Sequence, residues 1–180
     1  MVAATSDDVP LILDLIRELA EYERLPHQVL ATQEELRDSL FGSQPGAEVI
    51  LAYAGTDAVG FALFFHNYST FLGRRGIWLE DLFVRPHWRG RGVGSRLLAH
   101  VAELAVERGC GRLEWWVLDW NQPAIRFYER LGAVRMDDWT VYRMTGEELR
   151  RLGSSRGDAS QGRVRRDLTS FVPSTTADNP

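Results

Sequence analysis

The chain has 180 residues, of which 44% are hydrophobic and 26% charged, and its net charge is −4. This length and composition are typical of one globular domain with its own core. The negative charge gives no reason to expect nucleic-acid binding, and no apolar run is long enough to span a membrane. A single cysteine, Cys110, excludes an internal disulfide, and the N-terminus has no signal-peptide pattern, so we expect a cytoplasmic protein.

The first half of the chain predicts two helices followed by three strands. Apolar residues recur at helical spacing from 9 to 20, after Thr5 and Asp8 in capping-box spacing. Thr32 and Glu35 predict the cap of a shorter second helix. Strands are predicted over 47–53, 58–68 and 77–84, and the tight turn at 55–57 makes the first two a hairpin.

The second half predicts alternating strands and helices and then a polar tail. A helix follows residue 92, a strand covers 113–118, and Asn121 and Pro123 begin another helix. A pair of short strands is predicted over 134–143, and one or two helical turns over 147–152. This order indicates an α+β fold with a mixed, mainly antiparallel sheet and one parallel β-α-β crossover. We expect one domain over 1–152 and a flexible tail over 153–180, where apolar residues are few.

A loop of alternating arginine and glycine joins the strand ending at Val84 to the next helix. It reads Arg89-Gly90-Arg91-Gly92-Val93-Gly94, and bare backbone N–H groups at a helix N-terminus suit a pyrophosphate. A nucleotide-hydrolysing P-loop is excluded because the chain contains no lysine. A dinucleotide fingerprint is excluded because Leu97 stands where its third glycine belongs. The alternative to a pyrophosphate-binding loop is a glycine-rich turn that binds no ligand.

This R-x-x-G-x-G pattern resembles the acetyl-coenzyme A loop of the GNAT superfamily of N-acetyltransferases. Within that superfamily the chain is similar to the diamine acetyltransferases, which include spermidine/spermine and thialysine N-acetyltransferases. The similarity lies in residues 17–23, in 79–84 with the loop, and in 117–122 leading to Phe127 and Tyr128. It spans about residues 2–152 and implies a GNAT fold, acetyl-CoA as co-substrate, a small amine as acceptor, and a homodimer.

Transfer of an acetyl group from a thioester to an amine requires a neutral amine, a stabilised oxyanion and a proton for the leaving thiolate. Tyr128, seven residues after Asn121, matches the general acid of the family, although aromatic residues at helical spacing are usually part of a core. Glu80 is the candidate for taking the proton of the ammonium. Regular alternation would place Glu80 and Asp81 on opposite faces of their strand, and the role of Asp81 stays open.

The resemblance also implies how the cofactor and the acceptor are bound. The backbone of Leu82, Phe83 and Val84 is expected to bind the pantetheine arm as an added strand. Asn121 is expected to meet the cofactor from the opposite side of the groove. The acceptor is expected at Tyr22, Glu23, Glu80 and Trp115. No metal site is expected, because the four histidines show no ligand spacing. The pyrophosphate is expected at Arg89, Gly90, Arg91, Gly92, Val93, Gly94 and Ser95.

The charged residues near the expected acceptor site indicate which class of amine is the acceptor. Polyamine enzymes of the family carry adjacent acids where this chain has Leu25-Pro26-His27, and the loop before the third strand carries Arg74 and Arg75. Both departures favour a substrate with an amine and a carboxylate, such as a lysine analogue, over spermine. Two alternatives remain: acetylation of a protein N-terminus or lysine, and a non-catalytic module that only binds coenzyme A.

Overall fold

The computed structural model describes residues 1–154, which divide into a compact unit from Met1 to Phe127 and a second unit that begins at Tyr128. The first unit is built on a sheet with the strand order β1-β2-β3-β4-β5. Its strands are β1 (Val2–Ala3), β2 (Glu48–Ala54), β3 (Asp57–Ser69), β4 (Arg74–Val84) and β5 (Leu113–Glu114). Neighbouring strands are antiparallel except for β4 and β5, so the predicted mixed, mainly antiparallel sheet is confirmed.

Four helices accompany this sheet along the chain, and two of them begin at the predicted caps. They are α1 (Val9–Tyr22), α2 (Gln33–Phe41), α3 (Val93–Glu107) and α4 (Gln122–Arg130), the last of which begins in the first unit. A short 3₁₀ turn precedes α1, and there the Asp8 carboxylate accepts hydrogen bonds from the backbone and hydroxyl of Thr5. Glu35 and Thr32 make the same bonds at the start of α2, where Thr32 also accepts from the Glu35 N–H. Both capping boxes fix where the chain turns into a helix.

Helices cover both faces of the sheet. On one face, α1 and α2 pack on alternate residues of β2, β3 and β4, and this core includes Ile12, Leu15, Phe61, Leu63 and Phe83. The intervening residues of β3 face the other side, where α3 contacts β2, β3 and β4. Because α3 connects the parallel strands β4 and β5, it completes the predicted β-α-β unit.

A bidentate ion pair ties α1 to the end of β4. The Arg85 guanidinium donates to the Glu18 carboxylate at 2.6–3.1 Å and to the carbonyl of Ala58 at 2.7 Å. Both side chains are only about one-third exposed, at 33% and 35%, so the pair is less screened than a surface ion pair. It fixes α1 against the strand end that precedes the glycine loop.

Three predicted strands differ from the structure. β5 covers only Leu113–Glu114 of the predicted 113–118. In the second unit, the strands predicted over 134–143 are absent from the described residues, where a turn over 137–138 stands instead, with the Trp139 N–H donating to the Met136 carbonyl at 3.2 Å. Aspartates at both turn positions disfavour a strand there. The last predicted helical turns are confirmed as α5 (Gly146–Ser154), and the tail from residue 155 lies outside the described residues.

Candidate active site

One edge of β4 is open along its second half. On one side β4 pairs with β3 over almost its whole length, from Arg74 to Val84. On the other side, among the described residues, only Ile77 and Trp78 pair with β5. The two parallel strands therefore stop pairing after Trp78, and the backbone of residues 79–84 has no strand partner on this side within residues 1–154. Unpaired N–H and C=O groups in an extended strand can accept an added strand-like ligand.

A β-bulge lies where the strands separate. Asp81 pairs with Leu63 and Leu79 pairs with Phe64, so Glu80 is an extra residue in β4. Trp78 pairs with Phe65, which lies on the same face of β3 as Leu63. Trp78 and Asp81 therefore share a face, which regular alternation forbids at a spacing of three residues. The Glu80 carboxylate lies on this face too, because it accepts a hydrogen bond from the Trp78 indole, so the predicted separation of Glu80 and Asp81 onto opposite faces is wrong.

The bulge assembles an acidic cluster, which we define as Glu23, Glu80 and Asp81. Asp81 is partly buried. Burial, together with the negative charges of Glu80 and Glu23, raises the pKa of Asp81 from 3.8 to about 7. Partial burial also raises the pKa of Glu23, the residue that follows the end of α1. A cluster in which carboxyls disfavour one another's ionisation is prepared to hold a proton or a cation.

Aromatic side chains border the acidic cluster. The indole Nε1 of Trp78 donates to Glu80 Oε2 at 2.8 Å, and Trp116 packs edge-on against Trp78 with ring centroids 4.9 Å apart. Trp78 was not among the residues predicted from sequence, although its position two residues before Glu80 on one strand was a usable signal. Trp115, the predicted acceptor residue, is partly buried just after β5. Indole rings beside carboxylates suit an alkylammonium group.

The glycine loop adopts backbone conformations that favour glycine. Gly90 and Gly92 have φ angles of 75° and 76°, in the left-handed region. No neighbouring atom lies within 4 Å of the position that a side chain on Gly90 would occupy, so a ligand has room to approach the backbone there. Gly92 immediately precedes α3, whose first residues Val93, Gly94 and Ser95 present the free N–H groups of a helix N-terminus.

The two arginines of the loop lie against aromatic rings. The Arg89 Nε donates to the Val84 carbonyl at 2.8 Å, and its guanidinium lies 4.2 Å from the ring centroid of Tyr22 and 5.6 Å from that of Phe83. The Arg91 guanidinium lies 4.9 Å from the ring centroid of Trp88. The loop therefore offers positive charge and backbone donors together, which is the chemistry that a pyrophosphate needs.

Asn121 lies at the start of α4 and is 7% exposed. Its Oδ1 accepts the Ala124 N–H at 3.3 Å, as the predicted helix cap requires, and the Tyr22 hydroxyl at 3.0 Å. Tyr22 also packs against Trp120 with ring centroids 5.9 Å apart. The structure thus brings the predicted residues Tyr22, Arg89 and Asn121 together.

Tyr128 lies in the last turn of α4, is partly buried, and belongs to the second unit. Its predicted role as general acid stays a prediction. Within residues 1–154, no group of three or more His, Cys, Asp or Glu side chains is arranged to hold a metal ion. None of the helices in this described range is both long and apolar enough to cross a bilayer.

Comparison with known proteins assigns the class to which this fold and site belong. The profile of the Acetyltransferase (GNAT) family matches residues 12–133. The chain therefore belongs to the GNAT family and is an N-acetyltransferase of a family that uses acetyl-CoA as co-substrate. The predicted fold and family are confirmed.

Individual proteins similar to this chain include two acetyltransferases and one solved structure. Thialysine N-epsilon-acetyltransferase from Bos taurus is 42% identical over 160 residues, which cover 83% of this chain and 94% of that protein. L-ornithine N5-acetyltransferase from Arabidopsis thaliana is 35% identical, covering 83% of this chain and 85% of its own. Among solved structures, an integron cassette protein from the mobile metagenome of V. cholerae superposes with a TM-score of 0.72 at 26% identity, covering 84% of this chain and 95% of its own.

Proposed function

We propose that this enzyme transfers the acetyl group of acetyl-CoA directly to a primary amine of a small metabolite, either a diamine or a lysine-like amino acid. The observation that carries the proposal is the acidic cluster, which stands at the point where β4 opens an edge for a strand-like ligand. The names of the bovine and Arabidopsis relatives support an acceptor of this class.

The proposed cofactor site combines three features of the first unit. The open backbone of Leu82, Phe83 and Val84 binds the pantetheine arm through main-chain hydrogen bonds. The loop of residues 89–95 binds the pyrophosphate, and Asn121 contributes its amide. When bound, acetyl-CoA supplies an acetyl group activated as a thioester. The left-handed glycines and the space beside Gly90 fit such a ligand.

The protein's part in the reaction is to move protons away from the nitrogen and onto the leaving sulfur. An amine enters as an ammonium ion and must lose a proton before its nitrogen bonds to the acetyl carbon. Glu80 and Asp81 are the proposed acceptors of this proton, and a carboxyl whose pKa is about 7 is well matched to neutral conditions. The sulfur that leaves must gain a proton, for which we propose the phenol of Tyr128, since an ordinary phenol has a pKa of about 10. The nitrogen loses its second proton as the amide forms, and this proton replaces the one that Tyr128 has given to the sulfur.

A compact acceptor is proposed in preference to spermine, with Arg24 and not Arg74 or Arg75 as the partner of its carboxylate. Arg74 and Arg75 begin β4, five or more residues before Glu80, so at about 3.3 Å per strand residue their Cα atoms lie roughly 17 Å or more from that of Glu80. The Arg24 guanidinium is the better partner for a substrate carboxylate, because it lies 5.3 Å from the ring centroid of Trp120, next to Tyr22 and Glu23.

The test is a comparison of kcat/KM among thialysine, ornithine, a simple diamine, spermine and peptides with a free N-terminus or lysine. We expect the compact amines to be preferred and one thiol to be released for each amine acetylated. The highest kcat/KM for spermine would indicate a polyamine acetyltransferase. The highest kcat/KM for peptides would overturn the small-metabolite proposal. Binding of acetyl-CoA without turnover of any amine would favour the non-catalytic module.

We also propose a cytoplasmic homodimer. Large hydrophobic side chains of the second unit are exposed, including Val134 at 83% and Tyr142 at 90%, which supports an association surface. Sedimentation at micromolar concentration should give twice the chain mass. A mass of one chain at all concentrations would contradict this part of the proposal.

A further inference from the structure

The side-chain amide of Asn121 has a fixed orientation. A backbone N–H can only donate, so the Asn121 atom that faces the Ala124 N–H, 3.3 Å away, must be the oxygen. The Tyr22 hydroxyl, 3.0 Å from the same oxygen, must then be a donor. These two bonds direct the Nδ2 atom of the amide away from the helix backbone.

The Nδ2 atom is available as a donor. Among residues 1–154 it has no hydrogen-bond acceptor. In the same part of the chain, the fully buried side-chain atom without a partner is Asn67 Oδ1 and not this nitrogen, so Nδ2 reaches solvent. A solvent-reaching donor on a side chain that is itself 7% exposed is well placed to meet a carbonyl or phosphate oxygen.

The ring of Tyr22 contacts both Trp120 and Arg89. Trp120, the neighbour of Asn121, packs on it at 5.9 Å, and the Arg89 guanidinium lies over it at 4.2 Å. Arg89 in turn donates to the carbonyl of Val84, the last residue of the open edge of β4. Tyr22 therefore contacts side chains that belong to both parts of the proposed cofactor site.

We propose that Tyr22 is a positioning residue for the cofactor. Its hydroxyl holds the Asn121 amide so that Nδ2 donates to the bound cofactor, and its ring supports Arg89. This inference rests on the proposed function, because it assumes that Asn121 lies in the acetyl-CoA site. It is a role beyond the acceptor-binding one that the family resemblance implies for Tyr22.

The test uses Tyr22→Phe, which keeps the ring contacts and removes only the hydroxyl. We expect the Kd for acetyl-CoA, measured by calorimetry, and its KM to rise about 2- to 12-fold, the range for one lost hydrogen bond. The KM for the amine should change less than about twofold. Tyr68→Phe, on an exposed tyrosine near the end of β3, is the matched control and should change neither constant.

A double-mutant cycle shows whether the hydroxyl acts through Asn121. Asn121→Ala should weaken acetyl-CoA binding, and adding Tyr22→Phe to it should produce no further loss. Additive losses would overturn the inference, as would a raised amine KM with unchanged cofactor affinity. If the unaltered protein does not bind acetyl-CoA, the proposed function fails; if it binds and Tyr22→Phe binds equally well, only this inference fails. Thermal unfolding of each variant checks that the fold is retained.

Discussion

Replacement of Asp81 by asparagine should stabilise the protein at neutral and alkaline pH. The folded-state pKa of Asp81 is about 7 against an ordinary value of 3.8, which at about 1.36 kcal/mol per pH unit corresponds to roughly 4 kcal/mol between its charged and neutral forms. Between these pH values the folded protein retains a proton that the unfolded chain has released, so stability falls as the pH rises from about 4 to about 7. The variant cannot ionise at this position and avoids that loss.

The assay is urea unfolding of wild type and Asp81→Asn at pH 4.5, 6 and 8. The partly buried carboxyl keeps some contact with solvent, so we expect the variant to be more stable by between about 1 and 4 kcal/mol at pH 8 and by much less at pH 4.5. Asp38→Asn on the exposed face of α2 controls for the removal of one negative charge. A stability difference that is constant with pH, or that favours wild type at pH 8, would show that folding does not raise the pKa of Asp81.

Three further predictions concern the cofactor and the chemistry. Gly92→Val should abolish acetyl-CoA binding in calorimetry, because a branched side chain is strained at a φ of 76° and obstructs the loop; Gly109→Val, at a φ of 66° beyond the other end of α3, should still bind. Tyr128→Phe should fold and bind acetyl-CoA but lose at least about tenfold in kcat, and wild-type turnover in a chemistry-limited assay would make Tyr128 a packing residue. Trp78→Phe removes the donor to Glu80 and should lower kcat/KM for the amine about 2- to 12-fold with no change in the Kd for acetyl-CoA, whereas a changed Kd alone would place Trp78 on the cofactor side.

Local patterns predicted most of the fold because they are read from neighbouring residues. Both capping boxes, the apolar stripes of α1 and α3, and the glycine that precedes α3 each report on a single helix or turn. The shortness of β5 and the absence of strands over 134–143 were missed because strand length depends on a partner strand, which alternation within one segment does not specify.

The acidic cluster was only half predictable. Adjacent acids in an apolar strand indicated that at least one of Glu80 and Asp81 is functional, but a bulge of one residue placed Glu80 on the same face as Asp81. Register shifts depend on how β3 and β4 pair, so no spacing within β4 predicts them. The link between Tyr22 and Asn121 joins residues that are 99 positions apart, and a single sequence contains no signal for such a pair.

The most direct test of the proposed function is a crystal structure of the protein with coenzyme A and a compact diamine bound together. We expect the pantetheine arm to lie along the backbone of Leu82–Val84, with the pyrophosphate on the loop of residues 89–95 and one ammonium group of the diamine beside Glu80 and Asp81. A diamine bound away from the acidic cluster, or a cofactor that leaves the open edge of β4 uncovered, would contradict the proposed function.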